Sequence, residues 1–142
     1  MKKVFCGSAG VIGSAVAYML GGWDDAIQTL FMFMVIDYFM GVAVAFVFHK
    51  SPKTESGGLS SFIGFKGLVK KIVMLVLVAI GYRLDVLFTI DYIRNCICFA
   101  FMANELISIT ENAGLMGVSI PEPIKQGIDL LHSKGQVTDI ES

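Results

Sequence analysis

Residues 26–48, AIQTLFMFMVIDYFMGVAVAFVF, contain one charged side chain, the carboxylate of Asp37 at the midpoint of the stretch. A helix of about 20 apolar residues is long enough to cross a bilayer. A charge at its centre costs roughly 2.5–3.5 kcal/mol on insertion scales, so Asp37 is not expected to face lipid. Gly41 and Ala45 follow at intervals of four and share its helical face. This face is predicted to contact another protein segment or water.

The composition also favours a membrane protein, because 55% of the residues are hydrophobic and 16% are charged, against about 25% charged in an ordinary soluble domain. Helices are expected, since a backbone in lipid must satisfy its own hydrogen bonds and the sequence lacks the alternating pattern of a barrel. We predict an all-α integral membrane bundle in residues 1–113, with about four transmembrane helices. The predicted spans lie near residues 4–22, 26–48, 68–90 and 92–112.

The remaining residues, 114–142, are predicted to form a cytoplasmic amphipathic helix and a tail. Pro121 and Pro123 suit the first turn of a new helix. An apolar stripe then follows at helical spacing, formed by Ile124, Ile128 and Leu131. This helix is expected to lie on the inner membrane surface or against the bundle, with residues 136–142 frayed. Residues 57–61 are expected to form a turn before the third membrane helix.

The positions of the basic residues predict the orientation. Nine of the eleven Lys and Arg residues fall before the first stretch, between the second and third, or after the fourth, namely Lys2, Lys3, Lys50, Lys53, Lys66, Lys70, Lys71, Lys125 and Lys134. The side with more Lys and Arg is the cytoplasmic one. The opposite loops are short and acidic, with Asp24 and Asp91. We therefore expect a multi-pass protein with both termini in the cytoplasm.

The N-terminal stretch has two interpretations. Lys2-Lys3, a short apolar run and the small residues at 15–17 match the three parts of a cleavable signal peptide. In the alternative that we favour, the stretch is a membrane helix whose small residues let another helix approach closely. These residues are Gly13, Ala17 and Gly21, at every fourth position.

Sequence signatures of enzymes are missing. Cys6, Cys96 and Cys98 lack the paired spacing of a zinc or redox site, and the two histidines are isolated. No glycine-rich phosphate loop or nucleophile elbow occurs. We therefore predict no catalytic residues, no metal and no cofactor. The net charge of −1 argues against nucleic acid as a partner.

Polar residues within the fourth stretch follow a helical spacing. Arg94, Glu105, Ser108 and Asn112 fall along one face, which Asn104 widens. Ionisable groups inside a membrane helix commonly line an interface or an aqueous path, although they also hydrogen-bond within a monomeric bundle. The candidate pore or interface residues are Asp37, Gly41, Ala45, Arg94, Asn104, Glu105, Ser108 and Asn112.

Three blocks together resemble the holins of phage lysis and toxin secretion found in phages and clostridia. They are Asp37-x-x-x-Gly41-x-x-x-Ala45; Ser60-Ser61-x-x-Gly64-x-x-Gly67-x-x-x-Lys71 leading to Asp85; and Asn104-Glu105-x-x-Ser108-Ile109-x-Glu111-Asn112 with Gly117-Val118-Ser119-Ile120-Pro121. They occur in this order over residues 37–131. The last block is the most specific of the three.

The resemblance implies a small protein of the bacterial cytoplasmic membrane that assembles with its own copies and opens lesions. An endolysin or a toxin would leave the cell through them, and an antiholin is a further possible partner. The resemblance implies no catalytic site. Two alternatives stay open on the residues alone: a non-lytic channel or transporter subunit, and an antiholin that regulates a holin.

Overall fold

The computed structural model describes residues 1–58 and 60–136. Five helices and no strand occur in these ranges: α1 Lys2–Met19, α2 Asp25–Phe46, α3 Ser61–Phe88, α4 Ile93–Leu115 and α5 Glu122–Gly135. The predicted all-helical fold is confirmed. Leu59, in the predicted turn before α3, and residues 137–142 of the predicted frayed tail lie outside the described residues.

The helix ends follow from local chemistry. Asp24 is the N-cap of α2 and accepts a hydrogen bond from the Ile27 amide at 3.1 Å. Thr89 ends α3 in the left-handed conformation, and Gly117 has φ +87° in the turn after α4. Pro121 is the N-cap of α5, and a proline lies in its first turn, as predicted.

α3 begins seven residues before the predicted span at 68–90, at Ser61. Three of the five lysines assigned to the connection before it, Lys66, Lys70 and Lys71, therefore lie within the helix. At 28 residues, α3 is about 42 Å long, which exceeds the roughly 30 Å of a hydrocarbon core.

α4 is the central helix, and it packs against α2, α3 and α5. The core between these helices is a layer of aliphatic and sulfur-containing side chains, which includes Leu30, Met34, Val78, Cys98 and Met102. In contrast, α1 has no buried residue. Helix α1 therefore lies outside the bundle, and the loop at residues 20–24 joins it to α2.

The outside of the bundle is unusually apolar, and a few charged side chains lie inside beside the apolar core. Large apolar side chains are exposed along α2 and α3, among them Phe39, Phe62 and Leu87, while Asp37 and Glu105 are buried. Exposed apolar area on this scale marks an interaction surface, and a bilayer would cover it. By length and apolar composition, one helix in the described ranges, α2, is sufficient to cross a membrane.

Candidate functional site

A cluster of three charged side chains connects the three bundle helices. The Lys71 ammonium of α3 lies 2.7 Å from Asp37 Oδ2 on α2 and 2.5 Å from Glu105 Oε2 on α4. All three side chains are largely buried, with 13%, 12% and 4% of their surfaces exposed. We call Asp37, Lys71 and Glu105 the charged triad.

Each member of the triad has a position in its helix that turns it inward. Asp37 follows Leu30 and Met34 at helical intervals on the buried face of α2, and Glu105 lies on the buried face of α4 with Met102. Asn112, two turns beyond Glu105, donates a hydrogen bond of 3.2 Å to Asp37 Oδ1. The triad is thus held by the same inward faces that form the apolar core.

In the triad, one ammonium group is shared between two carboxylates, so its formal charges do not cancel. A buried charge left without its partner is strongly destabilising, typically by about 3–5 kcal/mol. Since hydrogen bonds to charged groups are among the strongest, the three helices are held together at this level. The same groups offer an ionic surface to water or to a neighbouring molecule if the helices separate.

A cavity of about 740 Å³ leads from the triad to the end of the bundle where α2 and α4 end and α3 begins. Its entrance is formed by the connection between α2 and α3, at Ser51, Lys53 and Thr54. The other lining residues are mostly polar or small, and include Gly41, Ala45, Lys70, Asn104, Ser108, Glu111 and Asn112. The cavity is wide enough for water, and the charged triad forms part of its wall.

The structure brings together seven of the eight candidate pore or interface residues. Asp37, Gly41, Ala45, Asn104, Glu105, Ser108 and Asn112 all line this cavity. Arg94 does not, because it lies eleven residues before Glu105 on α4, or about 16 Å along the helix axis. Val78 and Cys98 belong to the apolar core of the bundle.

Arg94 belongs to a second polar cluster at the opposite end of the bundle. Its guanidinium donates to both carboxylate oxygens of Asp24, at 2.7 and 3.1 Å, and to the carbonyl oxygens of Leu20 and Gly22. The Arg94 side chain therefore fastens the α1–α2 loop to α4. The fork of a guanidinium suits this set of acceptors, which a single ammonium group could not satisfy.

Two further features support this loop attachment. The Asp85 carboxylate of α3 accepts the amides of Ile93 and Arg94 at 2.9 Å each, and so caps the start of α4. Gly21 has φ +86°, and a Cβ there would lie 2.7 Å from the Tyr82 ring. The close approach of the loop to α3 therefore requires glycine.

The hydrogen bonds from Arg94 lower the pKa of Asp24 below its usual 3.8, against an opposing effect of partial burial. The Ile27 amide at the N-cap lowers the pKa further. Asp24 is therefore ionised at neutral pH, and the loop attachment is a pair of opposite charges.

The predicted helix-packing residues do not share one helix. Gly13 and Ala17 lie in α1, whereas Gly21 lies beyond its end in the loop. Apart from the neighbouring backbone of α1, no atom of the described residues lies within 4 Å of a Cβ built on Gly13, so Gly13 contacts no other segment of the single chain. A helix contact at Gly13 and Ala17 stays a prediction about assemblies.

Sequence reasoning missed Lys71 as a member of the site and counted it as a loop lysine. The available signal was the pair of carboxylates at Asp37 and Glu105, because buried charges need partners of opposite sign. Lys71 lies at the start of the third apolar stretch and is the basic residue nearest to its interior on that side. No group of His, Cys, Asp and Glu suited to a metal occurs in the described ranges.

The comparison with known families agrees with this architecture. The model of the bacteriophage holin family matches residues 14–133, which include α2 to α4 and most of α5. The chain belongs to the bacteriophage holin family. The resemblance read from the three sequence blocks is confirmed. Membership in the holin family indicates a membrane protein, and this is not a family of enzymes.

Relatives of this holin-family chain occur in several bacteria. It is 38% identical over 123 residues to the uncharacterized protein Lin0175 of Listeria innocua, covering 86% of this chain and 82% of the relative. It is 34% identical over 125 residues to an uncharacterized 14.9 kDa protein encoded in the nagH 3' region of Clostridium perfringens, covering 87% and 89%. It is 34% identical over 137 residues to the uncharacterized protein BH0965 of Halalkalibacterium halodurans, covering 92% and 96%. No solved structure matches the chain.

Proposed function

We propose that this chain is a holin, which assembles with its own copies in the bacterial cytoplasmic membrane and opens lesions that release an endolysin or a toxin. The observation that carries the proposal is the apolar exterior of the bundle together with the charged triad inside it. A charged triad is buried at the wall of a polar cavity, while large apolar side chains cover the outside. A bilayer would cover the exposed apolar side chains, and buried charged groups commonly line an aqueous path.

In this proposal α1 to α4 all cross the membrane. Together they form the transmembrane domain predicted for residues 1–113. Lys71 of α3 and both Arg94 and Glu105 of α4 are paired with opposite charges, which lowers the cost of placing these groups in lipid. The Lys-rich connection before α3 and both termini lie in the cytoplasm, while the acidic loops at Asp24 and Asp91 face outward. The polar cavity then opens toward the cytoplasm.

Assembly follows from the parts of the chain that lack partners. At low density the triad is satisfied within one chain, and α1 has no packing partner beyond its final loop. Small residues such as Gly13 and Ala17 allow another copy to approach closely in lipid, where apolar area alone gives no driving force. As copies accumulate, mass action favours contacts between chains. The pore or interface roles of Asp37, Glu105 and the other cavity residues are part of this proposal.

The test is inducible expression in bacteria together with an endolysin that has no export signal. We expect growth to continue while the protein accumulates, followed by abrupt arrest and release of the endolysin. Unarrested growth with the chain inserted at a matched membrane level would contradict the holin function. Loss of small ions without endolysin release would indicate a channel subunit, and delayed lysis by a second holin would indicate an antiholin.

A further inference from the structure

We infer that α5 is inserted alongside α4 and that its polar side lines the aqueous path of the assembly, with other copies of this chain completing the wall. The inference rests on the proposed membrane placement and adds an element that the cavity residues do not include. It concerns Glu122–Gly135, which the sequence alone places either on the membrane surface or against the bundle.

Contacts along α4 show how far α5 extends. The Lys134 ammonium lies 5.7 Å from the centre of the Phe99 ring, and Leu131 packs against the core. A Cβ on Gly135 would lie 2.8 Å from the Ala100 backbone nitrogen. Since α5 starts beyond the end of α4 at Leu115, it runs back along α4 for about fifteen residues, or roughly 22 Å.

The part of α4 that α5 contacts lies at the same depth as the exposed apolar side chains of α2. Phe46 ends α2 at the same end of the bundle as Leu115, and its side chain is 65% exposed. Such a phenylalanine is suited to contact with lipid. If lipid reaches the level of Phe46, then the part of α5 that extends back to Ala100 lies within the same layer.

The outer side of α5 is unsuited to lipid. Lys125, Asp129 and His132 follow one another at helical spacing and are exposed on it. A Lys or Asp at the bilayer centre costs roughly 2.5–3.5 kcal/mol, and one exposed ion pair, Lys125 with Glu122, does not remove this cost. In contrast, the exposed sides of α2 and α3 are rich in Phe, Val, Leu and Ile.

The bundle therefore has an apolar side on α2 and α3 and a polar side on α5. Copies that place α5 inward would turn the apolar sides of α2 and α3 toward lipid and the polar side of α5 toward the lumen, as in channels with polar linings.

The first measurement tests whether α5 lies along α4 in membranes. Cys6 and Cys96 are replaced by Ala, whereas the fully buried Cys98 is kept. Phe99→Cys and Lys134→Cys are then joined by a short bifunctional maleimide in the full chain. We expect an intrachain cross-link, detected by mass spectrometry. Phe99→Cys with Lys53→Cys is the control pair, which should stay unlinked because Lys53 lies at the cavity entrance.

The second measurement tests what the polar side of α5 faces. An environment-sensitive fluorophore is attached to Ser133→Cys in oligomers reconstituted in phosphatidylethanolamine and phosphatidylglycerol vesicles. Ser56→Cys in the exposed connection is the aqueous control, and Phe39→Cys is the lipid control. We expect aqueous iodide to quench Ser133 several-fold more than Phe39, and a lipid-attached nitroxide to quench Phe39 alone.

Two results would overturn the inference. If the cross-link is absent while iodide quenches Ser133, α5 lies on the membrane surface. If the lipid nitroxide quenches Ser133 as it quenches Phe39, α5 faces lipid. Neither measurement depends on lysis. Cross-linking and iodide quenching without endolysin release would support the placement of α5 and reject the holin function. Lysis without cross-linking would support the holin function and reject the placement of α5.

Discussion

Lys71 lies 2.7 Å from Asp37 although 34 residues separate them in the sequence, and the same ammonium group contacts Glu105, another 34 residues further on. One lysine thus joins α2, α3 and α4 at the wall of the polar cavity. The charge that the sequence places at the middle of an apolar helix is therefore paired with an opposite charge within the same chain. This contact is the point from which the bundle can be tested most directly.

Replacing Lys71 with Met should destabilise the bundle by about 3–5 kcal/mol, because Asp37 and Glu105 would be buried without their counter-charge. Thermal unfolding in detergent measures the loss. The matched control is Lys70→Met, since Lys70 is exposed one residue earlier. Adding Asp37→Asn and Glu105→Gln to Lys71→Met should restore much of the stability. Equal effects of Lys70→Met and Lys71→Met would show that the triad contributes nothing.

Asp37→Asn should keep insertion while removing charge, because Asn still accepts a hydrogen bond from Lys71. Asp37→Leu should insert more readily yet fail to assemble or open correctly, because Leu has no polar atom. We expect Asn to shift lysis timing and Leu to delay or abolish lysis, measured with a co-expressed endolysin at matched membrane levels. Wild-type timing for Asp37→Leu would exclude a functional role for this residue.

The proposed topology places Lys3 and Lys53 on the cytoplasmic side and Asp91 on the outer side. Single cysteines at these positions, in a chain with Cys6 and Cys96 replaced, should react with a membrane-impermeant thiol reagent from the corresponding side only. Labelling is done before lysis, in intact cells and in inverted vesicles. If Lys53→Cys and Lys3→Cys react from opposite sides, α1 and α2 do not both cross the membrane.

Gly21→Ala should be destabilising, since φ +86° costs an L residue about 1–2 kcal/mol and the new methyl would meet the Tyr82 ring. Gly22→Ala is the control, because Gly22 has φ +103° but open space around it. The difference in unfolding temperature between the two variants isolates the steric contact. Equal temperatures would mean that the loop does not approach Tyr82.

Gly13→Leu should leave the stability of the single chain almost unchanged, because nothing lies within 4 Å of a Cβ at this position. It should instead change the oligomers seen by cross-linking in membranes, since a large side chain keeps helices apart. Ala17→Leu should act in the same way. An unchanged cross-linking pattern for both variants would mean that this face of α1 contacts lipid.

The attachment of the α1–α2 loop should depend on acid. Because the pKa of Asp24 is lowered in the folded chain, its pairing with Arg94 is fully present above pH 3.8 and is lost as the pH falls through the lowered value. Trp23, the only tryptophan, reports this change through its fluorescence. Asp24→Asn keeps an acceptor for the Ile27 amide but no charge, so this acid transition should disappear. If the Asp24→Asn variant shows the same change of fluorescence with acid, the transition belongs to another titratable group.

Much of the candidate site could be predicted because its residues recur at helical intervals. Asp37, Gly41 and Ala45 were placed on one face of α2, and Glu105, Ser108 and Asn112 on one face of α4, and these faces meet at the cavity. The partner of the two carboxylates was not predicted, because Lys71 lies at the margin of its apolar stretch. Arg94 was grouped with Glu105 because the two share a helical spacing. Periodicity predicts which face of a helix a residue occupies, but it does not predict which residue on another helix it contacts.

The sequence by itself determined the helical architecture, the apolar character of the exterior and the family, since these depend on composition, local spacing and short motifs. The tertiary structure decided which charges meet: Lys71 with Asp37 and Glu105, and Arg94 with Asp24. It also decided that α5 returns along α4. These pairings are between distant parts of the chain, and they depend on the relative rotation and depth of packed helices, which no local pattern specifies.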